Sequence, residues 1–313
     1  MNSGPDEAPG RRSAHPEGDG EVSTMEGSRL ARYVQDWRPS ARISHDLISP
    51  VPAAALAGLL GGPDRAVQTG DRLPALWHWL YFLEWPAQDE LGADGHPAQG
   101  HFLPPIPNRK RMFAGGRLHV RAPMRLGTAA ERTSALAGVE AKEGRTGELL
   151  FVTVRHEIRQ EGEVRLVEEQ DLVYRSDETT VAQRPPEPRP QEPAASSSPW
   201  QRPLTADPVL LFRFSALTAN AHRIHYDQAY ARDVEGYPGL VVHGPLLAVH
   251  MTELARRDAP DRQIGSVRYR LRRPVFAGDP VLVTGDPADD GTARMSVIGA
   301  SDHVMADAEV TFA

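Results

Sequence analysis

At 313 residues the chain is too long for one small core and fits two ordinary domains or one large one. Its net charge of -7, with an isoelectric point near 6.0, offers no general attraction for nucleic acid. The lack of cysteine excludes disulfides, thiol nucleophiles and cysteine metal sites and suits a reducing cytoplasm, and no apolar run reaches the roughly 18 residues of a membrane span.

Residues 1–28 are rich in Gly, Pro, Ser and Glu and read as a disordered tail. Asp6, Glu7, Glu17, Asp19 and Glu21 make this segment too acidic for a transit peptide, a signal-peptide layout is missing, and Met25 offers a second start site. A globular pattern begins at Arg42. Ser49 with Pro50 and Pro52 predicts a helix start, and Gly61-Gly62 its end. The run Leu73–Leu83 is apolar on every side, which predicts burial in the core, or alternatively a lining for a ligand's tail. Residues 86–108 form a long loop punctuated by Gly92, Gly95, Pro97, Pro104, Pro105 and Pro107, and such loops are more often functional or mobile than average. Arg109-Lys110-Arg111 reads as a solvated turn or as a phosphate contact. Strand-like runs follow at Arg117–Val120, Thr133–Glu140, Leu149–Ile158 and Val164–Tyr174.

Between residues 177 and 204, seven prolines and the Ser196-Ser197-Ser198 tract describe an extended linker, the best domain boundary in the chain. The units are therefore 29–176 and 205–313. In the second, Val209–Leu217 reads as a strand, followed by a His-bearing loop and a helix from Pro245 to about Arg257. Strand-like runs return at Gly265–Arg273, Val281–Thr284, Ala293–Ile298 and Val304–Phe312. Helix first and meander afterwards is the order in both units, which suggests two copies of one architecture.

The chemistry concentrates in residues 212–251. Leu246-Leu247-Ala248-Val249 is apolar nearly all round, so the helix requires burial on more than one face, as inside a wrapping sheet. Pro245 suits its first turn. The amide of Gly244 and the positive helix end could polarise a carbonyl oxygen, although a simple buried helix start explains the same residues. His222 and His225, three apart, are candidate acid–base groups, with Asn220 and Asp227 beside them. A His-x-x-His pair could also hold a metal, but no third ligand is obvious, so no metal is expected. Nucleophile-elbow, dinucleotide and Walker patterns do not occur, and no cofactor is expected.

Thr218–His225, together with Gly239-Leu240-Val241-Val242-His243-Gly244, resembles the signature of MaoC-like dehydratases and R-specific enoyl-CoA hydratases. The wording is most similar to the branch that includes mitochondrial 3-hydroxyacyl-thioester dehydratase type 2 and mesaconyl-CoA hydratase. The resemblance is specific over Leu210–Met251, fair through Arg272–Asp279, and weaker over WHWLYFL and Arg109–Gly116. It implies an α+β double hot-dog fold, with each antiparallel sheet wrapping a central helix, and catalysis on acyl thioesters. Family hydratases place an Asp five residues before the catalytic His, with an Asn between. His225 matches the catalytic His, whereas Asn220 stands in place of the Asp and His222 in place of the Asn.

The resemblance thus implies a hydro-lyase in which Gly244 binds the thioester carbonyl and His225 takes a proton from water, with Asn220 and His222 orienting that water. His243, Asp227, Arg109, Arg111 and Arg273 complete the candidate substrate-binding set. Arg268, Arg270 and Arg272 join Arg273 as candidates for coenzyme A phosphates, although strand alternation prevents all four from facing one ligand. Two substrates compete: a small branched dicarboxylic enoyl-CoA of the mesaconyl or itaconyl type, and a linear 3-hydroxyacyl ester of coenzyme A or a carrier protein. A non-catalytic thioester-binding subunit is the reading from a different class. A homodimer is optional, because two hot-dog units of one chain could pair with each other.

Overall fold

The computed structural model describes residues 28–62, 67–144, 147–176 and 194–313. The tail through residue 27, with Met25, and residues 177–193 of the expected linker lie outside the described residues. Four helices, α1 (Arg29–Val34), α2 (Pro50–Leu59), α3 (Pro208–Leu217) and α4 (Gly244–Asp258), accompany ten strands. These are β1 (Arg42–Leu47), β2 (Arg109–Val120), β3 (Ala129–Gly144), β4 (Gly147–Gln160), β5 (Glu163–Ser176), β6 (Trp200–Thr205), β7 (Ile264–Leu271), β8 (Pro280–Pro287), β9 (Thr292–Ile298) and β10 (Val304–Phe312).

All ten strands join one antiparallel sheet in the order β1-β3-β4-β5-β2-β7-β10-β9-β8-β6. Read outward from the centre, the two halves are β2-β5-β4-β3-β1 and β7-β10-β9-β8-β6, the same order of successive strands twice. The seam is the antiparallel pairing of β2 with β7, where Leu118 faces Val267. This is the double hot-dog arrangement that the resemblance implies.

Strand alternation decides what faces inward. Val267 and Tyr269 of β7, Ala293, Met295 and Val297 of β9, and Ala306, Ala308 and Val310 of β10 are buried, and their neighbours face out. Helix α4 packs across this inner face against β6–β10 and β2, with Leu246, Leu247, Ala248, Val249, Met251 and Leu254 buried. Helix α2 begins where Ser49 accepts a hydrogen bond from the amide of Val51. Arg257 of α4 donates to the carbonyls of Leu60 and Gly62 at the far end of α2, which ties the two helices together. The aromatic run belongs to the core: Trp77, Leu80, Tyr81 and Phe82 are buried, and His78 and Trp79 both bond the buried carboxylate of Glu168.

Two sequence expectations are corrected. Residues 209–217 are not a strand but lie in α3, because Asp207 caps the amide of Leu210 at 2.7 Å and Pro208 takes the first turn. Leu211, Phe214 and Ser215 are buried while Val209 and Phe212 face solvent, a helical spacing rather than alternation. The end of the Pro-rich segment is also not linker. Trp200–Thr205 form β6 against β8, and Pro203 is tolerated there because β6 is the sheet's edge.

Candidate active site

Helix α3 delivers the chain to the site. Its last turn is closed by the hydroxyl of Thr218 on the carbonyl of Phe214, and the amide of Asn220 reaches back to the carbonyl of Ser215. The Asn220 side chain then accepts from the amide of His222 at 3.0 Å, a local Asx turn. A 3₁₀ turn, Arg223–His225, follows and is braced by the ion pair of Arg223 with Asp227 at 2.8 Å.

His225 is clamped by this framework. Its Nδ1 lies 2.8 Å from the carbonyl oxygen of Val241, so Nδ1–H is the donor and Nε2 keeps its lone pair. Among the described residues no group bonds Nε2. The ring of His243 stacks beneath at 3.7 Å between centroids, 19° from parallel, and is fixed by Ser215 Oγ at 2.9 Å from its Nε2. Burial lowers the pKa of His225 to about 4, against the opposing hydrogen bond to Val241. His243 is held well below 6.5 by burial and then by the charges of His225 and His222. His225 is therefore a neutral acceptor at neutral pH.

Helix α4 opens one residue after His243. Its N-cap makes no side-chain bond, and Pro245 has no N–H, so the amide of Gly244 stands at the positive end of a 15-residue helix. A Cβ on Gly244 would lie 2.1 Å from Leu271 Cδ1, so a larger residue there would require the Leu271 side chain to move.

The long loop 86–108 completes the surroundings. Asp94 bonds His96 at 2.9 Å, and the ring of His96 lies 4.0 Å from that of His222, which stands edge-on to His225 at 5.5 Å. Asp94, His96 and His222 each offer a ligand atom within 4.8 Å of the others, a set not containing His225 that could take a metal ion. The positive charge of Arg111 acts on His96 and His222 alike and opposes a second cation there. Burial, the charge of His96 and then that of His225 lower His222 to about 2.

The structure thus brings Asn220, His222, His225, His243, Gly244 and Arg111 together, in roles that differ from expectation. The Asn220 side-chain oxygen accepts from the backbone of the turn. His243 is 0 % exposed, so it supports His225 from below and does not reach a substrate. Asp227 holds Arg223 and the amide of Tyr230. Arg109 donates to the carbonyls of Pro104 and Ala98 and fastens the long loop. Arg273 is exposed beside Ser296, Val304 and Asp307 on the outer face of the sheet, away from α4, and Arg268 and Arg270 are exposed on β7. Ser215, Asp94 and His96 are additions. The Asp-x-His spacing within a loop already marked as long is the one sequence signal for the last two.

The fold, with a buried neutral histidine beside a helix N-terminus, is that of the hot-dog hydratases and dehydratases. The hydroxyacyl-thioester dehydratase type 2 family profile matches residues 76–277. The chain is 45% identical over 254 residues to mesaconyl-C(4)-CoA hydratase of Chloroflexus aurantiacus, covering 81% of this chain and 89% of that protein. Solved structures share the fold: a MaoC-like dehydratase from Phytophthora capsici superposes with a TM-score of 0.63 at 10% identity, covering 90% of this chain and 98% of that one. A Mycobacterium tuberculosis protein described as a double hot-dog gives 0.56 at 14% identity, covering 90% and 97%. The chain belongs to the hydroxyacyl-thioester dehydratase type 2 family, and it is a hydro-lyase. No helix among the described residues is long and apolar enough to cross a membrane.

Proposed function

We propose that the protein reversibly hydrates a short dicarboxylic enoyl-CoA of the mesaconyl type, with His225 as the base. The observation that carries this reading is the Val241 carbonyl on Nδ1 of His225, which commits the ring to the tautomer with a free Nε2. In hydration, Nε2 takes a proton from water as the oxygen bonds to the β-carbon. The π pair moves toward the α-carbon and the thioester carbonyl, where the Gly244 amide and the α4 dipole stabilise the developing charge. The imidazolium then returns the proton to the α-carbon. Elimination follows the same path in reverse.

Two observations support a short, charged acyl group over a long linear one. The positive charge of Arg111 reaches His96 and His222 and would act on a distal carboxylate bound there. The Trp77–Leu83 run, which a long chain would need as a channel, is packed into the core. The mesaconyl-C(4)-CoA hydratase relative favours the same choice and a coenzyme A ester. A cytoplasmic location is consistent with a chain that has no cysteine.

Loss of the conjugated enoyl-thioester absorbance, followed with crotonyl-, mesaconyl- and itaconyl-CoA, tests the proposal. Mesaconyl-CoA should be turned over fastest. His225→Ala should lower turnover by about 10² to 10⁴ while the fold survives. A variant with near-normal turnover would exclude His225 as the base, and thioester binding without turnover in the unmodified protein would favour the non-catalytic reading.

A further inference from the structure

We propose that Asp94 and His96, carried on the long loop of the first half, form a second acceptor dyad that holds the reacting water for His225. The inference rests on the reading of His225 as base and extends it to residues that the sequence pattern of the catalytic loop does not contain.

The loop is built onto the catalytic turn. The amide of Arg223 donates to the carbonyl of Asp94 at 2.8 Å, and the Arg223 guanidinium donates to the carbonyl of Ala93 at 3.0 Å. Gly95, at φ +89°, allows the approach, since a Cβ there would lie 1.9 Å from the carbonyl oxygen of Ala221. Within the loop, Gly92 donates to the carbonyl of His96 at 2.7 Å and Ala98 to that of Glu90 at 2.8 Å. His96 therefore has a defined place beside His222.

Asp94 also fixes the tautomer of His96. One carboxylate oxygen accepts the His96 amide at 3.0 Å and the other lies 2.9 Å from Nδ1. A carboxylate can only accept, so Nδ1 carries the hydrogen and Nε2 presents a lone pair. No described residue bonds that Nε2. His96 and His225 thus flank His222, with ring centroids 4.0 Å and 5.5 Å from its own, each with its Nδ1 committed and its Nε2 an acceptor.

Water presents two O–H bonds. His225 removes one proton, and unless a second acceptor holds the other hydrogen, the oxygen lone pair is free to rotate away from the β-carbon. The Asn220 amide oxygen already accepts from the His222 backbone, which leaves it one lone pair and a fixed direction. His96 Nε2 accepts the hydrogen that stays on oxygen throughout, while the transferred proton travels from water to His225 and on to the α-carbon. No net proton passes to His96. His96 touches the reacting water and is catalytic, whereas Asp94 acts through His96 and is a positioning residue.

The test compares His96→Ala, His96→Gln, Asp94→Asn and His225→Ala in the full chain by turnover of mesaconyl-CoA, with KM and melting temperature read alongside. His96→Ala should lose about 10²-fold in kcat with KM little changed. His96→Gln, which restores an acceptor, should recover part of that loss. Asp94→Asn, nearly isosteric and able to leave the loop in place, should lose on the order of tenfold in kcat. Equal turnover by His96→Ala and the unmodified protein would overturn the dyad, as would a loss confined to KM and melting temperature, or Ala and Gln variants equally impaired. If EDTA abolished turnover and Zn²⁺ restored it, the trio of Asp94, His96 and His222 would be a metal site and the dyad would fall. An inactive His225→Ala beside a fully active His96→Ala rejects the dyad alone, whereas a fully active His225→Ala rejects the underlying assignment of the base.

Discussion

Burial, more than any single partner, decides the charge of His225. Exclusion from water lowers His225 from 6.5 to about 4, and the Val241 carbonyl recovers only part of the shift. Turnover that needs neutral His225 should then stay level as pH falls through 6.5 and decline only near 4, which a pH profile of kcat/KM would show. An acid limb at 6.5 would mean that the ring is solvated in the working enzyme. Stability moves in the same direction. His156 and His250 are likewise lowered to about 4 by burial, so below 6.5 the unfolded chain binds more protons than the folded one. The stability linked to these groups is full above 6.5 and is lost as pH falls toward 4. The placement of His225 close to the start of α4 was legible in the sequence because loop, glycine and helix follow one another along the chain. Asp94 and His96 were not assigned, because the contact that brings their loop to the His225 turn joins positions 130 apart, Ala93 and Arg223.

Among the elements, α3 shows how a short apolar run misleads. Val209–Leu217 carries apolar residues at nearly every position, a pattern that suits a buried strand and a helix equally. Asp207-Pro208 was the arbiter: an N-cap followed by a first-turn proline, a signal of position rather than of periodicity. Asp207→Ala should lower stability by about 1 kcal/mol through loss of the cap, measured by urea denaturation. An unchanged midpoint would show that packing of Leu211 and Phe214 alone holds the helix. Since α3 also carries Ser215, which fixes the ring beneath His225, the strand reading hid this support residue as well. The edge strand β6 was hidden for a different reason. Its pairing with β8 depends on a partner some 80 positions away, and Pro203 within it belongs to the vocabulary of linkers.

At the scale of the molecule, the layout of two meanders each preceded by helix was visible in the sequence, and the strand order repeats it. The joint between the repeats was not visible, because nothing in β2 or β7 alone says that each will find the other. That β2–β7 pairing brings together a loop from one half and a turn from the other, both supplied by the same polypeptide. Specific activity should accordingly stay constant on serial dilution, assayed across the range in which a size-exclusion profile would reveal dissociation of any larger assembly. A fall in activity with dilution would show that a second chain completes the site. The encounter that assembles the site is first-order in protein, governed by the tether and not by how much enzyme is present. Across β2–β7 each half faces a partner fixed by the same chain, so its face is free to specialise: one repeat can keep His225 and the helix end while the other keeps only the loop that faces them.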